Sequence, residues 1–282
     1  MEAFKHYYFR KYFNYWIVLT LCIFFIPLSA DTYLITGANG AIGEAVVKKL
    51  AKDHDLIMLS FNEERLSVLQ KHLSDTYCHE YLHLCIDFND TDCAKKLIEF
   101  LRDKQKQIHG VLIVTPRPNF GNNLLAERSN WEEMFQSGFY GPLSVLKATI
   151  PYINQHGKIV IIAGTSSVTY LPQYAGAAVL RRMWTTLVKG LAFQLGPQTL
   201  SINALSPGVI LTPFHEERIS KRAEENNRTY EEQLEIETAQ IPLKHYTTLD
   251  EVCNSVQFLI SNQSDGITGK NIVLDEGLSD SY

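Results

Sequence analysis

Among the five cysteines, Cys22, Cys78, Cys85, Cys93 and Cys253, there is no CxxC pair and no metal-ligand spacing. That argues against a disulfide framework and against a zinc-type site as the organiser of the fold. Cys85 falls within a strand-like run and reads as a buried apolar residue. His79 and His83 are four apart, but they precede or enter that strand, where i and i+4 do not converge as they do on a helix. Internal repeats and low-complexity tracts are missing. So is an excess of positive charge: 26 Lys and Arg against 31 Asp and Glu leave a net charge of −5. With no basic stripe to offset that balance, nucleic acid is not an expected partner. What is present is an ordinary globular composition, 45% hydrophobic and 20% charged over 282 residues, long enough to bury a sizeable core.

One long hydrophobic run stands apart. Lys5, Arg10 and Lys11 precede an apolar stretch from Trp16 to Leu28, which ends at Ser29 and Ala30. Basic head, apolar middle and small-residue exit are the layout of a signal peptide. The uncharged run Tyr12–Leu28 also approaches the ~17–25 residues of a tilted membrane span. Residues 1–30 are therefore expected to be a signal or anchor segment, with membrane association through residues 12–28 and the domain exported or anchored. Positive charge ahead of the run would keep the N-terminus cytoplasmic and send the domain across. A hydrophobic extension packed on a cytoplasmic domain, or a wrongly assigned start, are the alternatives. Residues 31–282 form the expected domain.

From Asp31 onward strand-like and helix-like segments alternate. Strands are expected at Thr32–Ile35, Leu56–Leu59, Leu82–Ile86, Val111–Val114, Ile159–Ala163, Ile202–Leu205 and Asn271–Leu274. Helices are expected at Ala45–Lys52, Glu63–Leu73, Cys93–Arg102, Trp131–Ile153, Ala175–Leu195 and Asp250–Ser261. Apolar strands separated by helices predict a doubly wound α/β fold of Rossmann type, a parallel sheet between two helical layers. His215–Gln240 is rich in Glu, Arg and Asn and reads as a polar insertion, either a lid or a solvated surface helix.

Thr36-Gly37-Ala38-Asn39-Gly40-Ala41-Ile42-Gly43 lies between the first strand and the first helix. Gly37 permits the tight exit from the strand, and Gly40 lets backbone approach a pyrophosphate. Gly43 allows close helix–sheet packing, and the helix N-terminus offers free N–H groups to an anion. The expected ligand is a dinucleotide.

This loop resembles that of the short-chain dehydrogenase/reductase family, and the similarity runs from Thr32 to Gly277. The resemblance implies a phosphate loop of Thr36, Gly37, Asn39, Gly40, Ile42 and Gly43. It implies an adenine contact at Asp87, for which capping the next helix is the alternative role. It places Pro207 and Gly208 at a family Pro-Gly segment and Thr212 at the nicotinamide amide. Asp275-Glu276-Gly277 matches a C-terminal signature, with Glu276 where a glycine is usual. At the end of the second strand an Asp would select NAD and an Arg would attract the phosphate of NADP. Leu59-Ser60-Phe61-Asn62 offers neither, and Ser60 tolerates a phosphate, so NADP is slightly favoured over NAD.

The family's catalytic Asn, Ser, Tyr and Lys are not matched. Gly138 stands at the Asn position, Gly164 at the Ser, Ala177 at the Tyr and Arg181 at the Lys, and Thr115-Pro116-Arg117-Pro118 replaces the Asn-Asn-Ala-Gly segment. Tyr174, Arg181 and Ser166 are the substitute catalytic candidates. Arg181 can hold a ribose by hydrogen bonds but is a poor proton relay, since it stays charged. These departures, together with the prolines after the fourth strand, resemble a divergent β-ketoacyl-reductase-like branch. The implied function is hydride transfer between a nicotinamide and a carbonyl or hydroxyl substrate at a non-standard centre. The alternative is a catalytically silent nucleotide-binding or interaction protein of the same fold. The resemblance also implies a homo-oligomer, with Trp184 and Met183 either core or interface.

Overall fold

The structure is a computed structural model, described for residues 30–116 and 123–280. In chain order it contains β1 (Thr32–Thr36), α1 (Ala41–Leu50), β2 (Asp55–Ser60), α2 (Glu63–Thr76), β3 (Tyr81–Cys85), α3 (Cys93–Lys104) and β4 (Ile108–Val114). There follow α4 (Arg128–Phe135), a π turn (Gln136–Tyr140), α5 (Gly141–Thr149), β5 (Ile153–Ile162) and α6 (Ala175–Leu195). β6 (Ser201–Pro207), α7 (Pro213–Glu225), α8 (Tyr230–Thr238), α9 (Leu249–Ile260) and β7 (Asn271–Leu274) complete it. The seven strands form one sheet in the order β3-β2-β1-β4-β5-β6-β7, and every pairing is parallel. This is the doubly wound Rossmann-type sheet.

The period of two along each strand divides the core between the two faces. Tyr33 and Ile35 pack with Val46, Val47 and Leu50 of α1 and Val252, Val256 and Leu259 of α9. Leu34, pointing the other way, packs with Leu97 and Leu101 of α3, Val145 and Leu146 of α5, and Trp184 and Val188 of α6. Trp184 is 1% exposed, and its indole N–H donates to the Gly138 carbonyl at 2.9 Å. It is therefore core in this chain rather than interface, with its one polar atom satisfied. Cys85 is half-exposed rather than buried, and its thiol donates to the Phe61 carbonyl at 3.3 Å.

Three boundaries differ from expectation for identifiable reasons. The first helix begins at Ala41, directly after Gly40, because the first-turn residues need no apolar side chain to be helical. The expected long helix Trp131–Ile153 is broken by the π turn. A Cβ at Gly141 would sit 2.3 Å from the Phe88 carbonyl oxygen and one at Gly138 2.5 Å from a Leu180 methyl, so the chain approaches its neighbours too closely for larger residues. Pro142 follows in the first turn of α5, where a missing N–H costs nothing. β5 starts at Ile153 rather than Ile159, with a register shift that absorbs the polar Asn154-Gln155-His156-Gly157. The polar insertion His215–Gln240 folds as α7 and α8. Arg222 donates two hydrogen bonds of 2.7 Å to Glu237 across the pair.

Of the expected segment 1–30, residues 1–29, and with them the expected membrane association through residues 12–28, lie outside the described residues, as do 117–122 and 281–282. Among the described residues no helix is long and apolar enough to cross a membrane.

Candidate active site

Strand order reverses between β1 and β4, and the crevice at their C-terminal ends is where an open α/β sheet receives its ligand. The chain builds this edge with care. The Thr36 hydroxyl donates to the Val114 carbonyl at 3.0 Å and accepts from the Val114 N–H at 2.8 Å, which pins the exit of β1 to β4. Gly37 has φ +60, a conformation that favours glycine. Gly43 is sterically mandatory: a Cβ there would lie 2.1 Å from the Gly37 carbonyl oxygen. Gly40 caps α1 without any side-chain hydrogen bond, leaving the first-turn amides of Ala41, Ile42 and Gly43 for an anion. The residues present therefore fit a pyrophosphate group.

Asn39 and Ser60 are both buried and joined by a short Ser60 hydroxyl to Asn39 Oδ1 hydrogen bond. Asn39 also donates to the Asn62 carbonyl at 3.3 Å. Ser60 thus braces the loop rather than facing an adenosine ribose, so the ground for favouring NADP does not lie in its hydroxyl. Arg65, exposed in the first turn of α2, is the nearby cation that the reading of strand two passed over. Asp87 is exposed just beyond β3. Its carboxylate accepts from the Asn89 backbone N–H at 2.9 Å and does not cap α3, whose N-cap is Asp92.

At the end of β6, Pro207 is buried, and the Gly208 N–H donates to the Leu274 carbonyl at 2.8 Å. Thr212 is the N-cap of α7 but makes no capping bond; its hydroxyl lies 3.1 Å from His215 Nδ1. β7 and the residue after it brace the turn that follows β5. The Thr165 hydroxyl donates to buried Asp275 at 2.7 Å, and Ser167, Ser206 and Asn271 form a closed hydroxyl–amide cluster. Glu276 takes φ +57, which explains the family's glycine there. Its buried carboxylate accepts from the Thr247 hydroxyl at 2.6 Å, and burial holds its pKa above the usual range.

The three substitute catalytic candidates, Tyr174, Arg181 and Ser166, come together in space. Gly164 has φ +136, and a Cβ there would meet Arg181 Cζ and Nε at 2.8 Å and Cδ at 3.2 Å. The guanidinium therefore lies against Gly164, in the volume that a serine side chain at that position would need. One of its N–H groups donates to Ser166 Oγ at 2.7 Å, and its Cζ sits 5.4 Å from the centre of the Tyr174 ring. Ser166 is 4% exposed and Ala177 is 7% exposed. Sequence reasoning placed Arg181 by its helical position alone. It missed the contact with Gly164, because a missing side chain gives no motif to read.

α7 and α8 are fastened beside this edge. Burial alone would raise the Glu237 pKa, but hydrogen bonds from Arg222, Gln233 and Tyr246 hold it below the ordinary carboxylate range. Burial and the Glu237 charge push the Tyr246 phenol up, so that side chain stays a neutral donor to Glu237 at 3.0 Å.

The profile of the family described as Enoyl-(Acyl carrier protein) reductase matches residues 37–279. The chain is 27% identical over 261 residues to the 3-oxoacyl-[acyl-carrier-protein] reductase of Rickettsia bellii, covering 90% of this chain and 98% of that protein. In fold it is similar to the L-sorbose reductase of Gluconobacter frateurii, solved with NADPH and L-sorbose. That match has a TM-score of 0.82 at 18% identity, with 90% of this chain and 98% of the other covered. It is also similar to an NADPH-bound short-chain oxidoreductase of Pseudomonas aeruginosa PAO1 described as containing an atypical catalytic center. There the TM-score is 0.79 at 19% identity, with 89% and 98% covered. With the glycine cradle, the parallel sheet and these matches in hand, the chain belongs to the short-chain dehydrogenase/reductase family.

Proposed function

We propose that this protein binds a nicotinamide dinucleotide on the β1–α1 loop and catalyses oxidation or reduction of a carbonyl or hydroxyl compound at a non-standard centre. One observation carries the reading. The cradle is committed to glycine at Gly37 by its positive φ and at Gly43 by sterics, and it shares the sheet's C-terminal edge with the Gly164, Ser166 and Arg181 cluster. Such a dinucleotide, when bound, supplies or takes up a hydride. Thr36, Gly37, Asn39, Gly40, Ile42 and Gly43 would hold its phosphates, Asp87 its adenine side, and Pro207, Gly208 and Thr212 its nicotinamide side. NADP is favoured over NAD, since β2 ends without an acid and Arg65 stands nearby.

Arg181 holds oxygen rather than moving protons, because a guanidinium keeps its charge at working pH. The proton must then pass through the Ser166 hydroxyl, the Tyr174 phenol or water. A second reading, a nucleotide-binding protein without turnover, is favoured by Ala177, which is buried at the position matched to the family tyrosine. Assembly into a homo-oligomer belongs to the same proposal. The test is a ketone and aldehyde panel with NADPH and NADH as reductants, alongside nucleotide affinity. Turnover that drops at least tenfold in Arg181→Gln at saturating nucleotide supports an enzyme. Tight nucleotide binding with no turnover of any compound supports the silent reading.

A further inference from the structure

Apart from the Arg181 cluster, three side chains that can bind a metal converge from separate segments. His245 comes from the stretch between α8 and α9, Glu251 from the first turn of α9, and Glu276 from the turn after β7. One ligand atom of each lies within 4.8 Å of the other two, yet among the described residues none of the three hydrogen-bonds to another. Glu276 is 8% exposed. One of its oxygens takes the Thr247 hydroxyl at 2.6 Å, and among the described residues no donor reaches the other. A buried carboxylate oxygen without a donor calls for a compensating positive charge. No lysine or arginine among the described residues supplies it. Burial holds the Glu276 pKa up and the Glu251 charge adds to that, against the Thr247 bond and the His245 ring.

The imidazole is held in the form a metal ion takes. His245 Nδ1 stands 3.1 Å from the Tyr246 carbonyl. A carbonyl only accepts, so Nδ1 carries the proton and Nε2 the lone pair. Metal-ligating histidines are oriented by the same kind of bond.

We propose that His245, Glu251 and Glu276 bind a divalent metal ion of the zinc class, which fastens the turn after β7 to the start of α9. One nitrogen and two carboxylate oxygens suit such an ion better than calcium or magnesium, which take oxygen ligands. Zinc holds these atoms at about 2.0–2.2 Å, which sets them about 3.4 Å apart in a tetrahedron. Exposed His245 and half-buried Glu251 can swing to close the remaining gap on Glu276, which burial fixes. The role is structural. The Thr247 carbonyl accepts from the Leu211 N–H at 2.8 Å, so the ion would brace the segment after β6 from behind. The site does not depend on the nicotinamide reading.

The test uses the full chain stripped with EDTA and then freed of chelator. Zinc should bind saturably in calorimetry and raise Tm with concentration, while magnesium at the same concentration should give no shift. Cobalt(II), followed by absorption, should show visible d–d bands without the near-ultraviolet sulfur charge-transfer band that a cysteine ligand brings. His245→Gln and Glu276→Gly should each weaken zinc binding at least tenfold and abolish the Tm rise. Glu276→Gly keeps the fold, because glycine accepts the φ of +57 at that position; its metal-free Tm should not fall below that of the parent. Absence of a zinc-dependent Tm rise in the parent overturns the proposal. So does a rise that survives undiminished in either variant, or a sulfur band with cobalt, since each would place the ion on other residues.

Discussion

Restoring the family serine by Gly164→Ser should damage the protein unless Arg181 is shortened at the same time. Two costs add. Gly164 has φ 136 and ψ 154, a region that non-glycine residues reach only at about 1–3 kcal/mol. The new Cβ would also lie 2.8 Å from Arg181 Cζ and Nε. The guanidinium must then move and give up its hydrogen bond to Ser166, a charge-assisted bond of about 1.5 kcal/mol net after allowing for its half-exposed donor. The sum is about 3 kcal/mol, or a fall in Tm of about 6–12 °C for a domain of this size. Arg181→Ala alone removes the bond and the ring contact but leaves the backbone relaxed. The double variant loses the Ser166 bond once where the two singles each lose it, so its destabilisation should fall short of the sum of the singles by about 1.5 kcal/mol. Urea denaturation followed by circular dichroism on the four proteins measures that coupling. Additivity within about 0.3 kcal/mol would refute the lodging of Arg181 against Gly164.

Gly43→Ala places a methyl 2.1 Å from a backbone oxygen that cannot swing aside; nucleotide affinity should fall by at least tenfold, and unchanged affinity would contradict the packing of α1 on β1. Glu276→Gly should raise stability at pH 7 by about 1 kcal/mol, since it removes a positive-φ side chain and a buried carboxylate. A raised folded pKa means that the Glu276 contribution is fully present below the unfolded value near 4.5 and is lost as pH rises through the folded one. The gain from Glu276→Gly should therefore shrink between pH 7 and pH 5, and a gain that grows on acidification would contradict the burial. Glu237 has the opposite sign: its lowered pKa stabilises above the unfolded carboxylate value and is lost as pH falls through the folded one. Glu237→Gln should accordingly loosen α7 and α8 at pH 7, read as faster proteolysis between residues 213 and 240, with no such effect if the pair is merely decorative.

Alternating apolar runs made the sheet legible, and α6 and β7 were legible to the residue. Where chemistry is written in glycines by spacing, as at Gly37, Gly40 and Gly43, the site was legible too. The break at Gly138 and Gly141 was not, because the pattern of apolar residues continues across it while the causes are neighbours distant in sequence, Leu180 at Gly138 and Phe88 at Gly141. The Gly164–Arg181 contact was hidden for the same reason. An empty side-chain volume and the arginine that fills it are separated by a helix start and a turn, and neither residue alone carries a signal. Ser60 misled differently. Its position at the end of β2 pointed to the ligand, but its hydroxyl is turned inward to Asn39.

Equilibrium titration of the full chain with NADPH and NADH, read by nicotinamide fluorescence and by thermal shift, decides whether the glycine cradle is a working site. Saturable binding of at least one nucleotide, tighter for NADPH and lost in Gly43→Ala, is the predicted result. Binding of neither at millimolar concentration would contradict it and leave a Rossmann sheet without its dinucleotide.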